Sequence, residues 1–169
     1  MVFAVESKVR TSTAGFKKLM KQLEEAMKTV VVSGVINGDA DATEKAVLNE
    51  FGGTGIYEDG PYTGQSVVVP ARSFVQAPVE LNAEDIVNSG ANDIDFDKKD
   101  GLMNALRKMG RRASELQEKA LESNGEGIPG WQKHNSPRTI ETKNGLDKPL
   151  YTRNNTTFPI DYELQRRGA

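Results

Sequence analysis

Phe16, Leu19, Met20, Leu23 and Met27 recur at the spacing of one helix face, and Lys17, Lys18, Lys21, Glu24, Glu25 and Lys28 fill the other side. The pattern predicts an amphipathic helix. "TVVVSGVI", Thr29 to Ile36, then abandons that period for a β-branched run ending at Asn37 and Gly38, which predicts a buried strand. "DATEKAVLNEFG", Asp41 to Gly52, reads as a short helix capped by Asp41 or Thr43 and stopped by Gly52 and Gly53. The glycine-rich Gly53–Gln65 stretch predicts a mobile surface loop or a hairpin tip. "SVVVP", Ser66 to Pro70, predicts a brief strand that Pro70 ends or confines to an edge.

Leu81 to Phe96 reads as an insertion, in which Asn82 and Asp85 suggest a capping box for one turn of helix. The longest helix is expected over Asp97–Ser123, with Leu102, Ala105, Leu106, Met109, Ala113, Leu116 and Ala120 as its apolar stripe. Gly101 and Gly110 weaken it by roughly 1 kcal/mol each relative to alanine. Asn124 and Gly125 end it. "FPIDYEL", Phe158 to Leu164, alternates as a strand does. Two main helices and short strands without βαβ alternation point to an α+β fold with a small antiparallel or mixed sheet. No internal repeat or low-complexity tract is visible.

Between the last helix and the last strand, "HNSPRTIETKNGLDKPLYTRNN", His134 to Asn155, follows neither period. A structureless segment of that length in a small domain is usually functional or disordered. It belongs to an extended arm expected over about 125–157, and it makes the chain a single 169-residue domain with one insertion and one arm.

Composition narrows the classes. The chain is 37% hydrophobic and 27% charged with net charge -2, so it can bury a core and has no surface-wide affinity for nucleic acid. It has no cysteine, hence no disulfide and no thiol nucleophile. The opening residues lack the apolar run of a secretory leader, and no stretch approaches the roughly 20 apolar residues of a membrane span. On that reading the sequons at Asn154 and Asn155 are expected to stay unmodified.

Candidate chemistry is sparse. The single histidine, His134, lies in a polar loop, and no nucleophile elbow, phosphate loop or dinucleotide fingerprint occurs; "GGTG", Gly52 to Gly55, lacks the lysine and helix it would need. Asp93, Asp95 and Asp97 stand at calcium-loop spacing, but Lys98 replaces the required glycine and Asn104 the closing glutamate. "NGDADA" fails likewise, at Ala42 and Leu48. Acidic residues at a helix N-terminus are the simpler reading, so no metal and no cofactor is expected. Arg107, Lys108, Arg111 and Arg112 form a basic patch without interleaved aromatics and are followed by Glu115 and Glu118, as on a solvated face or protein contact.

Three stretches, in order, resemble one family: "AVLNEFG" (Ala46–Gly52), "VVVPARSFVQAPVE" (Val67–Glu80) and "GWQKHNSPRTIETKNGLDKPLYTRNNTTFPIDYEL" (Gly130–Leu164). They are similar to the neck or tail-completion proteins of long-tailed bacteriophages, also called virion morphogenesis or minor tail proteins. Glu50, Phe51 and Gly52 match that family's first motif. Pro70, Ala71, Arg72 and Phe74 match the second, and Asn135, Ser136, Pro137 and Thr139 the third. Lys148, Pro149 and Leu150 match the fourth, and Tyr162 stands in the closing strand. Asn49 replaces a usual histidine, Ser73 a usual second proline, and Tyr151, Thr152 and Arg153 a usual aspartate-threonine-glycine.

The resemblance implies a non-enzymatic virion protein, assembled in the host cytoplasm, forming a six- or twelve-fold homo-oligomeric ring in the head–tail neck. Its neighbours would be connector or head-completion proteins and the tail terminator or tail tube. Genomic DNA would pass through the lumen without sequence-specific contact, and no membrane is involved. A tail terminator ring is the alternative within the same setting. Outside it stand a small enzyme built on His134, a carboxylate and Ser136, and a calcium- or nucleic-acid-binding module. The resemblance also implies that the polar arm packs on neighbours, with Lys143, Asp147 and Lys148 as rim contacts. Trp131 is then either an interface anchor or a tack holding the loop to its own core. Phe51 and Phe74 are expected in core or subunit contacts.

Overall fold

The computed structural model describes residues 13–58, 60–151 and 157–168. It is α+β, as expected. In chain order it runs α1 (Thr13–Met27), β1 (Thr29–Gly34), α2 (Ala40–Phe51), β2 (Gly53–Ile56), β3 (Ser66–Val69), α3 (Gln76–Leu81), α4 (Ala83–Ala91), α5 (Gly101–Glu122), α6 (Pro137–Thr142) and β4 (Asp161–Arg166). Among the described residues the strands form two separate antiparallel pairs, β1 with β4 and β2 with β3. In the first pair Thr29 faces Arg166 and Gly34 faces Asp161; in the second Gly53 faces Val69 and Ile56 faces Ser66.

Helix α5 is the spine. Its buried positions are Gly101, Ala105, Gly110, Ala113, Ser114, Gln117, Ala120 and Leu121. The expected stripe contributes Ala105, Ala113 and Ala120, while Leu102, Leu106, Met109 and Leu116 are half-buried at its margins. The small residues serve close packing. A β-carbon at Gly110 would lie 2.3 Å from the ring of Tyr162 on β4, and one at Gly90 on α4 would lie 2.5 Å from the Ala105 carbonyl. The helix-weakening Gly110 therefore admits the sheet, and its propensity cost is offset by that contact. The core proper is Ala46, Phe74, Leu121, Trp131 and Leu150, flanked by Val35, Val75, Ile128, Phe158 and Ile160.

Several boundaries differ from expectation for local reasons. Asp39, rather than Asp41 or Thr43, caps α2, its carboxylate accepting from the Ala42 N–H at 2.8 Å; Asp41 instead pairs with Lys45. Of the two readings of the glycine-rich stretch the hairpin holds, although β2 already begins at Gly53 and only the residues after Ile56 form the tip. β1 stops at Gly34 and is half-buried rather than buried, because its sheet has only two strands. The insertion carries nine-residue α4 rather than one turn, and Asn82 caps nothing with its side chain, which bonds back to the Pro78 carbonyl. Helix α5 starts at Gly101, not Asp97. The Asp95 carboxylate accepts from the Asp97 N–H and holds a turn there, and a β-carbon at 101 would lie 1.9 Å from the Asp95 carbonyl.

The apolar stripe of α1 is the largest departure. Phe16, Met20, Leu23 and Met27 are 55%, 42%, 37% and 73% exposed. The residue this helix buries is Gln22, whose amide donates to the Lys98 carbonyl at 3.0 Å and the Phe96 carbonyl at 3.5 Å.

Candidate functional site

The three motif-bearing stretches meet at one junction. Glu50, near the end of α2, is buried, and its carboxylate accepts from the Ser73 hydroxyl at 2.6 Å, the Val75 N–H at 2.9 Å and the Gln76 N–H at 3.0 Å. These are the donors that the start of α3 leaves open, since Val75 offers no capping side chain. Ser73 in turn accepts from the Ala77 N–H at 3.0 Å. Gly52 has φ +73°, and a β-carbon there would meet the Ala71 nitrogen at 2.9 Å, so glycine alone lets the second stretch lie against the first. The Arg72 N–H closes the contact by donating to the Asn49 carbonyl at 2.6 Å.

The second stretch reaches the third through two side chains. Phe74, fully buried, stacks on Phe158 with ring centroids 5.2 Å apart. Arg72, 4% exposed, donates from Nε to the Gln132 carbonyl at 3.0 Å and from an Nη to the His134 carbonyl at 3.4 Å. The chain from Trp131 to Tyr151 is a loop, but it is folded onto its own subunit instead of extending as an arm. Trp131 enters the core where Asn124 and Gly125 end α5. Its indole N–H donates to the Asn124 side chain at 3.2 Å, and a β-carbon at Gly125 would strike its ring at 2.0 Å.

The asparagine-serine-proline-threonine segment is a helix start. Ser136 caps α6 by accepting from the Thr139 N–H at 3.2 Å, and Pro137 follows it in the first turn. The helix ends at Thr142, and just beyond its cap Lys143 come Asn144 and Gly145, both with positive φ. Asp147 then ties the loop's two ends together, accepting from the Asn135 N–H at 2.7 Å and bonding His134 Nδ1 at 2.7 Å. Those bonds, the Asn135 amide foremost, hold the Asp147 carboxyl below its ordinary range. The Lys143 ammonium turns inward and donates to the carbonyls of Lys148 at 3.1 Å and Pro149 at 3.0 Å. Burial, with the Arg72 charge nearby, lowers Lys143 to about 8.

Between β3, α6 and this loop lies a half-open cavity of about 570 Å³. Asn49, Tyr57, Arg72, His134, Ser136, Thr139 and Lys143 contribute its polar wall, and Val67, Val69 and Pro149 its apolar one. Among the described residues no carboxylate lines it.

The remaining candidates distribute as follows. Trp131, Pro149 and Leu150 are buried in the subunit itself; Lys148 lies over the Tyr151 ring at 4.7 Å; Ser136 and Pro137 are exposed, and Asn135 and Thr139 half-buried. Lys143 and Asp147, expected on the rim, bind their own loop. Phe51 is 69% exposed and has no place in the core. His134 does meet a carboxylate, but the Ser136 hydroxyl is engaged with Thr139 at 2.9 Å and not with the histidine. Asp93 pairs with Lys108 at 2.6 Å, and Asp95 turns to the Asp97 N–H and Lys98, so those carboxylates do not converge. In the basic patch, Arg112 pairs with Asp85 at 2.7 Å and with Glu115, and Arg107 bonds Asn104. Asn154, Asn155, Thr152 and Arg153 lie outside the described residues. Among the described residues no helix is long and apolar enough to cross a membrane.

The cavity's second cation, Lys143, escaped the sequence reading as a site residue. The signal was the spacing of Lys143, the positive-φ pair Asn144–Gly145, and Asp147, which turns the chain back on itself. Comparisons with family models, with curated proteins and with solved structures found no match.

Proposed function

We propose that the chain is a structural subunit of a phage head–tail neck, assembling with copies of itself into a ring that joins the portal side to the tail and lets DNA pass. The observation that carries this reading is apolar surface left exposed among the described residues. One face is the α1 stripe of Phe16, Met20, Leu23 and Met27. A second exposed group is Val47 and Phe51, one helical turn apart on α2; Ile56 and Val68 are exposed separately, on the side of the β2–β3 hairpin turned away from α2. Scattered exposed hydrophobics are ordinary, but a continuous stripe along one helix marks a contact surface. The two faces differ in shape and composition. A contact pairing one with the other is head-to-tail, the class that closes into rings.

The resemblance supplies the setting, and the junction gives it support: its motif residues Glu50, Gly52, Arg72 and Phe74 all make interlocking contacts. Ring size and the order of neighbours come from the resemblance alone. Light scattering and negative-stain imaging of the concentrated protein test the reading. Rings that Leu23→Glu and Phe51→Glu each abolish, with both variants folded, are expected. A wild-type chain that stays monomeric at millimolar concentration, or rings indifferent to both substitutions, would remove the proposal.

A further inference from the structure

We propose that the cavity between β3, α6 and the 131–150 loop is a binding site for a single oxyanion group, a carboxylate or a phosphate, held between Arg72 and Lys143. The inference does not rest on the assembly reading. It begins from an imbalance of charge. Arg72 is 96% buried, the complement of its 4% exposure, yet among the described residues it has no ion pair, Asp147 acting on it only at a distance; its bonds go to the main-chain carbonyls of Gln132 and His134. Lys143 likewise meets only the carbonyls of Lys148 and Pro149. Buried cations are ordinarily matched by a carboxylate. The nearby acid, Asp147, is already bonded to Asn135 and His134 and does not line the cavity.

Carbonyl bonding alone does not require these residue types, because neutral amide donors make the same bonds without the cost of burying charge. Two cations facing one cavity repel each other; burial first and the Arg72 charge second lower Lys143, against a smaller opposing effect of Asp147. An oxyanion between them reverses that term.

Donor capacity fits as well. A guanidinium carries five N–H groups and an ammonium three. Arg72 uses two with described partners and Lys143 two, so both retain donors. Arg72 lines the cavity with a guanidinium that has bonds to two described carbonyls only. The hydroxyl groups of Ser136, Thr139 and Tyr57, which bond one another, and Asn49, whose amide donates to the Lys45 carbonyl, make the rest of the polar wall, and Val67, Val69 and Pro149 the apolar one. At about 570 Å³ the space takes a phosphate or the end of an acidic side chain with room to enter. A buried guanidinium offering paired N–H groups is the usual receptor for such groups.

The probe is inorganic phosphate, with sodium acetate as the carboxylate arm and sodium chloride at equal ionic strength as the control. Binding is followed on the full chain by calorimetry and by thermal melting. Phosphate, acetate or both should raise the melting temperature above chloride, and the stronger arm assigns the source. Lys143→Gln keeps a donor for the loop carbonyls but removes the charge, and should weaken that binding by about tenfold or more. Arg72→Gln should abolish it. If Arg72→Gln does not fold, Lys143→Gln decides alone. No stabilisation beyond chloride by either anion, or wild-type affinity in Lys143→Gln, overturns the proposal.

Discussion

The Ser73 hydroxyl donates to the Glu50 carboxylate at 2.6 Å across 23 residues of sequence, and the same carboxylate takes the Val75 and Gln76 N–H groups. A side chain at the end of one helix thus caps the start of another. The hairpin between them, β2–β3, is held in place by that bond and by the Arg72–Asn49 backbone contact. Glu50→Ala leaves three part-buried donors without their acceptor. Hydrogen bonds to charged groups contribute about 1.5–3 kcal/mol, so a loss of roughly 3 kcal/mol is expected on urea unfolding. Ser73→Ala should cost about 1 kcal/mol. Equal and small effects from both would show that α3 does not depend on this cap.

Phe51 and Phe74 occupy opposite situations. Phe74 is fully buried against Phe158, and Phe51 is 69% exposed. Phe74→Ala should cost about 3–5 kcal/mol. Phe51→Ala should leave the unfolding free energy of the isolated chain within about 0.5 kcal/mol of wild type, as surface changes do. If Phe51 acts anywhere, it acts in an assembly, so its effect should appear only in measurements of association.

Gly110 gives the cleanest conflict between local and tertiary preference. In an exposed helix, Gly→Ala stabilises by roughly 1 kcal/mol. Here the added methyl would sit 2.3 Å from the Tyr162 ring, a backbone-anchored contact that a small shift cannot relieve. Gly110→Ala should therefore lower the melting temperature. Pairing it with Tyr162→Ala should recover part of the loss relative to the two single effects summed, which a double-mutant cycle reads directly.

These contacts also show why parts of the fold were legible in the sequence and others were not. Helices α1, α2 and α5 follow from apolar spacing, and β4 from alternation, because a long periodic pattern survives any tertiary context. Which face is covered does not follow. The regular stripe on α1 is the one left exposed, and the polar Gln22 is the residue that packs. Nothing in the spacing tells a face awaiting a partner from a face meeting its own core. The loop from Trp131 to Leu150 was opaque for a second reason. It is stabilised by polar bonds between distant residues, Arg72 to the 132 and 134 carbonyls and Asp147 to Asn135, which leave no periodic mark. Its helix α6 was readable in hindsight from Ser136 followed by Pro137 and the Asn144–Gly145 stop.

The Asp147 bonds predict an acid-sensitive loop. Its folded carboxyl titrates below the unfolded value, with the Asn135 amide the main cause and His134 the next; Lys143 also favours the charged form. A depressed acid contributes stability that is present above the ordinary carboxylate range and is lost as pH falls through the folded value. Hydrogen exchange of the Asn135 amide should accelerate in that acid window, beyond its intrinsic trend, while amides of α5 keep theirs. Asp147→Asn should remove this pH dependence. An unchanged acid response in Asp147→Asn would place the sensitive group elsewhere.

The loop's attachment to its own core fixes how the free subunit should meet a protease. Trp131 is 9% exposed and Leu150 5%, and both touch the cluster that contains Phe74 and Leu121. Between these two anchors the chain is pinned by Arg72, by the Ser136 cap and by Asp147, so cleavage there requires local opening, not mere exposure. The free wild-type chain should resist cutting across 131–150 at protease levels that digest an unfolded control. Trp131→Ala removes an anchor together with the indole bond to Asn124, and the ring's space beside Gly125 becomes a void. That change should cost about 3–5 kcal/mol and open the loop first, since the lost contacts join it to α5. The expected product is therefore a cut within 131–150 in the variant, with α5 still helical by circular dichroism. Rapid cutting of the wild-type loop under the same conditions would mean that the segment is held in place by a neighbour after all. Cleavage of the variant only after global unfolding would mean that loop and core form one cooperative unit.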